Sequence, residues 1–191
     1  MLVSDVMSRA WVAAGDAGQI KISNYQMLNA YNDANRIMRK LILDQFPNMI
    51  EQKDNKTTTA GTSFITLDKK ALRLTDVRID GSKIGAIDSK QITDLTATGK
   101  PTNYYMDSLE TLSLYPIPNG EYPVFAAYIP AYTDAIETDE SGYPTEIETL
   151  LIVYMVATLT GGQADASAWA DELGRILGNI DGDVLMMGGY Y

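Results

Sequence analysis

The amino-acid sequence predicts an α+β fold: a helical bundle built from N- and C-terminal helices, with an antiparallel β-sheet and hairpin region inserted between them. Three observations carry this expectation. Apolar residues recur three and four apart near both ends of the chain, the period falls to two between them, and Ser, Thr and Pro stand where helices would start. Helices at both ends with strands between make α+β the natural class. The expected segments are N-terminal helices over 1–50, a β-rich insertion over 51–143, C-terminal helices over 144–180, and an extended arm over 181–191.

In chain order, Ser4 is placed to cap a short helix that carries Val6, Met7, Ala10, Trp11 and Ala14 on one side and ends at Gly15 and Gly18. Ser23 and Gln26 have capping-box spacing ahead of a long helix with the stripe Leu28, Tyr31, Ala34, Met38, Leu41 and Ile42. From Asn24 to Phe46, that helix would be roughly 33 Å long. Pro47 stops it. The polar stretch Glu51–Ser63 reads as a loop or linker.

Strand periodicity then takes over. "SFITL" and "VRIDGSKIGAI" read as strands, the latter folded at Asp80-Gly81 into a tight hairpin. "SKQITDL" reads as one helical turn opened by Ser89. "NYYM" and "TLSLY" flank a turn at Asp107–Glu110, and "YPVFAAYI" completes the sheet. Pro123 lacks a backbone donor, which suits an edge strand or a missing N–H turned outward. Prolines 116 and 118 and the Asn119-Gly120 turn make Pro116–Glu121 a stiff hairpin with the look of a fixed projection.

Helical periodicity returns at "PTEIETLLIVYMVATL", with Thr145 and Glu148 at capping-box spacing. This helix is apolar nearly all round, which predicts that it is the most buried element. Gly161-Gly162 break it. A last helix carries the stripe Trp169, Leu173, Ile176, Leu177 and Ile180. The tail "DGDVLMMGGYY" leaves that pattern, and so apolar a terminus calls for a surface that receives it.

Composition narrows the function. The chain has 191 residues and is 46% hydrophobic, enough for a real core. Lys and Arg number 15 against 25 Asp and Glu, a formal charge of -10, which disfavours a conventional nucleic-acid reader and suits a wall that DNA must not adhere to. With no Cys and no His, disulfides, thiolate chemistry, cysteine-ligated zinc and the commonest general base are absent from the repertoire. Asp5 and Arg9 interrupt any export signal, and the longest apolar run, Leu150–Ala157, falls short of the roughly 20 residues a bilayer span needs. The expectation is a soluble, non-membrane protein made in the cytoplasm.

Carboxylates are the only plentiful reactive groups. Asp134, Glu137, Asp139, Glu140, Glu146 and Glu148 include enough acids for a glycosidase-like pair or a Ca²⁺ loop. The simpler account is a solvated loop followed by a helix first turn in which Glu146 and Glu148 complement the dipole. Asp181-Gly182-Asp183 reads as a turn, Asn55-Lys56-Thr57 as a sequon without an export route, and Gly174 and Gly178 as close-packing positions. Tyr104, Tyr105, Tyr115, Tyr122, Tyr128 and Tyr132 would form either a carbohydrate- or cell-surface-binding face or, as tyrosines on strands do more often, a half-buried sheet face or protein interface. No catalytic, cofactor or metal site is expected.

Several of these features occur together. Gly99-Lys100-Pro101 leads to Tyr104-Tyr105, then Leu112, Leu114, Tyr115, Pro116 and Pro118. Val124, Tyr128 and Pro130 follow, then an acidic turn, Pro144, and a helix with Leu150, Leu151, Tyr154 and Ala157. In this the sequence resembles the head-to-tail adaptor (neck or connector) proteins of tailed bacteriophages. The resemblance covers the second half of the strand region and the helix after it. It implies a helical bundle with a β-rich extension, assembled as a homo-oligomeric ring, a dodecamer matching the portal, in the virion neck between capsid and tail. It further implies a portal above, a tail or nozzle protein below, and DNA passing through the channel without sequence-specific binding. Val184, Leu185, Met186, Met187, Tyr190 and Tyr191 would be the portal-docking arm. Tyr115, Pro116, Ile117, Pro118 and Tyr122 would form a hairpin facing a neighbouring subunit or the tail. The arm here is short and apolar where the family's is charged.

Overall fold

A computed structural model describes residues 1–162 and 171–176. The chain divides into two compact units, Met1–Phe46 with Tyr132–Tyr191, and Pro47–Ala131. Helices and mainly antiparallel sheets are both present, so the α+β expectation holds at that level.

In the first unit, α1 (Val3–Ala13), α2 (Asn24–Gln45) and α3 (Thr145–Leu159) pack on one another. Ser4 does not cap α1, which begins one residue before it. The N–H groups of Val3 and Ser4 donate to the carbonyls of Asp139 (2.9 Å) and Glu137 (3.1 Å), so acceptors distant in sequence do what a side-chain cap would do. Val3, Val6, Met7, Ala10 and Trp11 are buried on one face of α1, and Gly15 turns the chain out of it at φ 74°.

The Ser23–Gln26 capping box of α2 is present as expected. The buried stripe of α2 is Met27, Ala30, Tyr31, Ala34, Met38 and Ile42; Leu28 and Leu41 lie at its margin, half-buried. For α3, Pro144 occupies the cap position without a side-chain bond, and Thr145 is already helical. Nor is α3 the most buried element. Ile147, Glu148, Leu151 and Met155 are buried, while Val153 is 53% exposed. A helix apolar on every side leaves part of that surface exposed wherever packing does not cover it, as at Val153. Residues 171–176 are helical, with Leu173 buried; Trp169, Leu177 and Ile180 lie outside the described residues.

The second unit is built from β1 (Gln52–Thr57), β2 (Phe64–Thr66), β3 (Ala71–Ile79), β4 (Ser82–Lys83), β5 (Gly85–Ala86), β6 (Thr98–Gly99), β7 (Asn103–Met106), β8 (Thr111–Tyr115), β9 (Ile117–Pro118) and β10 (Pro123–Pro130). One sheet runs β1-β10-β3-β4, a second β2-β8-β7-β5, and β6 pairs with β9. The β5–β7 and β6–β9 pairs are parallel, a departure from a purely antiparallel sheet. Ile65, Val77, Ile79, Leu112, Leu114, Val124, Ala126 and Tyr128 from four strands form one apolar core.

The stretch read as a linker contains β1, which pairs with β10 from Gln52↔Tyr128 to Thr57↔Pro123. Its polar sequence hid this, because the strand is held by its partner's backbone and by Asp54. That buried carboxylate (1% exposed) accepts from the Tyr128 hydroxyl (3.0 Å) and the Asp68 N–H (2.8 Å). Strand β10 is consequently central, and Pro123 is tolerated because it opens the strand.

The Asp80-Gly81 hairpin forms with both residues at positive φ, 52° and 76°, as a type I′ turn demands. Asp88 rather than Ser89 caps the 3₁₀ turn Ser89–Gln91, its carboxylate accepting from Lys90 N–H at 2.9 Å. The register of β3 against β10 slips twice, so that Thr75 and Leu72 have no opposite residue.

Candidate interaction surfaces

The expected hairpin is held along its length rather than standing free. The Tyr115–Pro116 bond is cis, and Ile117 and Asn119 donate to Ala97 O (2.9 Å) and Gly99 O (3.2 Å). Thr58, buried, donates its hydroxyl to Gly120 O (2.8 Å) and accepts from Tyr122 N–H (2.9 Å); Gly61 N–H donates to Pro118 O (2.8 Å). Pro118 is therefore buried and Tyr115, Pro116, Ile117 and Tyr122 are half-buried, leaving Asn119 and Glu121 as the exposed tip. The docking-arm residues Val184, Leu185, Met186, Met187, Tyr190 and Tyr191 lie outside the described residues.

The six tyrosines do not gather into one exposed platform among the described residues. Tyr128 is in the core, Tyr104 and Tyr122 pack against it, and Tyr132 belongs to the other unit. Burial pushes the Tyr128 phenol up to about 12 even though the Lys69 N–H it accepts acts the other way.

The acids of residues 134–148 are dispersed into separate structural tasks. Asp134 pairs with Arg36 (2.9 Å), which also meets Asp33 (3.2 Å) and lies 5.1 Å over the Tyr132 ring. Glu137 accepts from the Asn24 amide, and Asp139 from Ile136 N–H (2.9 Å). Glu148 is buried, accepts from Ser141 Oγ and lies 3.7 Å from the Met1 amine. Asn32 holds the middle of the segment from α2, donating to Ala135 O (3.1 Å) and accepting from Ala135 N–H (2.8 Å). Among the described residues no three acids come together as a cation site. Tyr143, whose hydroxyl donates to Asn35 (2.7 Å), and Tyr132 are both raised to about 12 by burial.

The result is a stiff loop, 133–140, carrying one exposed apolar side chain in an acidic setting: Ile136 is 59% exposed between Asp134, Glu137, Asp139 and Glu140. The pattern "DAIETDE" displays that isolation, although it does not say whether Ile136 points inward.

On the β-rich unit, a shallow groove of about 360 Å³ is lined by Ala71, Leu72, Arg73, Leu74, Met106 and Leu109. The bulge that leaves Leu72 unpaired turns it outward, 64% exposed, and Leu109, 53% exposed, faces it from the β7–β8 turn. Ala71 N–H donating to Leu109 O (2.6 Å) ties the two walls together. A second groove of about 620 Å³ is lined by the charged side chains of Glu51, Lys53, Asp76 and Arg78, with Phe125 and Ala127 among the others. Arg78 meets Asp76 at 2.6 Å and lies over Phe125, so this face largely satisfies its own charge. The sequence does not announce either groove, because each is made from segments that only the sheets bring together.

Charge is divided unevenly. Residues 47–131 carry nine Lys and Arg against ten Asp and Glu, a formal charge of -1; 1–46 with 132–191 carry six against fifteen, or -9. Compared with known proteins, the chain matches the family model described as SU10 adaptor protein over residues 1–188. No curated protein matches it.

Proposed function

The chain belongs to the SU10 adaptor protein family, and on that premise we propose that it is a structural head-to-tail adaptor of a tailed bacteriophage. Copies assemble as a ring beneath the portal, a dodecamer matching its symmetry, and join capsid to tail in the virion neck. Helices from both ends of the chain form the bundle of each protomer. DNA passes through the centre without sequence-specific binding, and the protein has no catalytic task.

The observation that supports this most directly is the charge division. A passage for DNA works best with walls that repel phosphate, and a unit carrying -9 supplies such a wall. A unit at -1 can meet other proteins without that repulsion. No described helix is long and apolar enough to cross a membrane. The Val184–Tyr191 segment docks in the portal, and the Tyr115–Tyr122 hairpin faces a neighbouring subunit or the tail.

Electron microscopy of the purified protein with and without its portal tests the reading. Rings seated on portals are the expected result; a protein that never decorates a portal refutes it. Deleting 184–191 should abolish portal association with an unchanged far-UV circular dichroism spectrum, and normal decoration by the truncated chain would refute the docking arm.

A further inference from the structure

The groove on the β-rich unit and the loop on the helical unit are complementary in three respects. The groove is apolar at its centre, and the loop offers a single exposed apolar side chain, Ile136. One side of the groove is basic: Arg73 lines it and Lys69 and Lys70 adjoin it in sequence. All three are exposed, and none is in an ion pair among the described residues, while Asp107 and Glu110 flank the opposite wall. The loop's margin is acidic, and Asp139 and Glu140 have no cationic partner among the described residues. Finally, both surfaces are stiff before they meet, the loop through Asn32 and the Arg36–Asp134 pair, the groove through the Ala71–Leu109 bond. A preorganised surface loses little conformational freedom on binding.

We propose that these two surfaces bind each other between copies of this chain: Ile136 of one copy seats between Leu72, Leu74, Met106 and Leu109 of the next, with Lys69, Lys70 and Arg73 facing Asp139 and Glu140. The occupant of the groove is thus a second copy. Its charge is the reason: a unit at -9 has no favourable approach to another unit at -9, but it has one to the Lys69, Lys70 and Arg73 side of a unit at -1. Because the two surfaces differ, the contact is heterologous, the class that propagates from copy to copy and closes into a ring when the rotation permits. The inference rests on the ring reading above and names the surfaces that would make the ring. The β-bulge then has a purpose, since a regular β3 would give Leu72 an opposite residue on β10.

The test uses Ile136→Asp, which keeps the groove, and Leu72→Asp, which keeps the loop. Both sites are exposed, so circular dichroism should show each variant folded. By sedimentation velocity at about 100 μM, where a micromolar contact is saturated, wild type should self-associate and each variant alone should stay monomeric. Their equimolar mixture should give a 1:1 complex and nothing larger, because only one productive contact remains. Self-association of either variant alone, a monomeric mixture, complexes larger than 1:1, or a monomeric wild type overturns the inference. Should either Asp variant unfold, Arg73→Glu is the substitute: it should weaken self-association at least tenfold, and Glu140→Lys added to it should restore most of the loss. No weakening, or no restoration, overturns the proposal. Portal-bound rings formed equally well by wild type and Ile136→Asp would overturn the inference and leave the ring reading standing; absence of rings with wild type would overturn the ring reading itself.

Discussion

Replacing Asp54 with alanine should loosen the β-rich unit more than most single substitutions there. The carboxylate is 1% exposed and accepts from Tyr128 Oη (3.0 Å), Asp68 N (2.8 Å) and, less ideally, Gln52 Nε2 (3.3 Å). Hydrogen bonds to a charged group contribute about 1.5–3 kcal/mol each, so the two good ones are worth about 3–6 kcal/mol. Against this, keeping an ionised carboxylate out of water costs several kcal/mol, which its removal relieves. The orphaned phenol and amide decide the sign, since each buried unsatisfied donor costs about 1–3 kcal/mol. We expect a net loss of about 3–4 kcal/mol for Asp54→Ala. Tyr128→Phe removes one donor to the carboxylate, which keeps its other two, and the acceptor of the Lys69 N–H, and should cost about 2–3 kcal/mol.

Amide hydrogen exchange by mass spectrometry is the appropriate assay, because it reads β1 and β10 directly and needs no assumption that the two units unfold together. At about 1.4 kcal/mol per tenfold, Asp54→Ala should speed exchange in Gln52–Thr57 and Val124–Tyr128 by on the order of 10²-fold. Acceleration under about tenfold, or a larger effect from Tyr128→Phe than from Asp54→Ala, would refute the view that this carboxylate fastens β1 to β10.

Gly81→Ala should lower stability by about 1–2 kcal/mol by thermal unfolding, purely through its φ of 76°, since a Cβ there meets open space; Gly81→Asn should cost less, because Asn tolerates the left-handed region. Asp16 accepts from the N–H groups of Ile22 (2.7 Å), Lys21 (2.9 Å) and Ile20 (3.1 Å), and these bonds, that of Ile22 foremost, hold its carboxyl below the usual range despite burial. A group with a depressed folded pKa stabilises above its unfolded pKa and loses that contribution as pH falls through its folded pKa. Loop 15–23 should therefore loosen below about pH 4, seen as faster exchange of the Ile20–Ile22 amides, and Asp16→Asn should flatten that acid dependence.

What the chain declares in one dimension is whatever depends on near neighbours. The Ser23–Gln26 box, the stop at Pro47, the Asp80-Gly81 turn and the 107–110 turn between β7 and β8 all formed where the residues indicated, because each is a contact across a few positions. The change of period from helix to strand likewise gave the α+β class. The expectations that failed depended on partners far away. Ser4 lost its role to carbonyls about 135 residues on, and Thr145 is helical where a cap was expected. β1 was invisible because a polar strand is specified by the strand it pairs with, some 70 residues later.

The same division governs the surfaces. Acid excess, the absence of Cys and His, and the tyrosine and proline density are properties of composition, and they pointed toward assembly rather than chemistry. Tertiary structure alone decided that the Pro116–Glu121 hairpin is bound along its length and that Leu72 leaves the core through a bulge. It also decided that Ile136 faces outward from a fastened loop, and that nearly all the net charge falls on one of two units. Local patterns set which elements form, since their energies are settled within a turn or a strand. Exposure and charge distribution are settled by which distant segments exclude water together, and that is fixed only once the chain has folded.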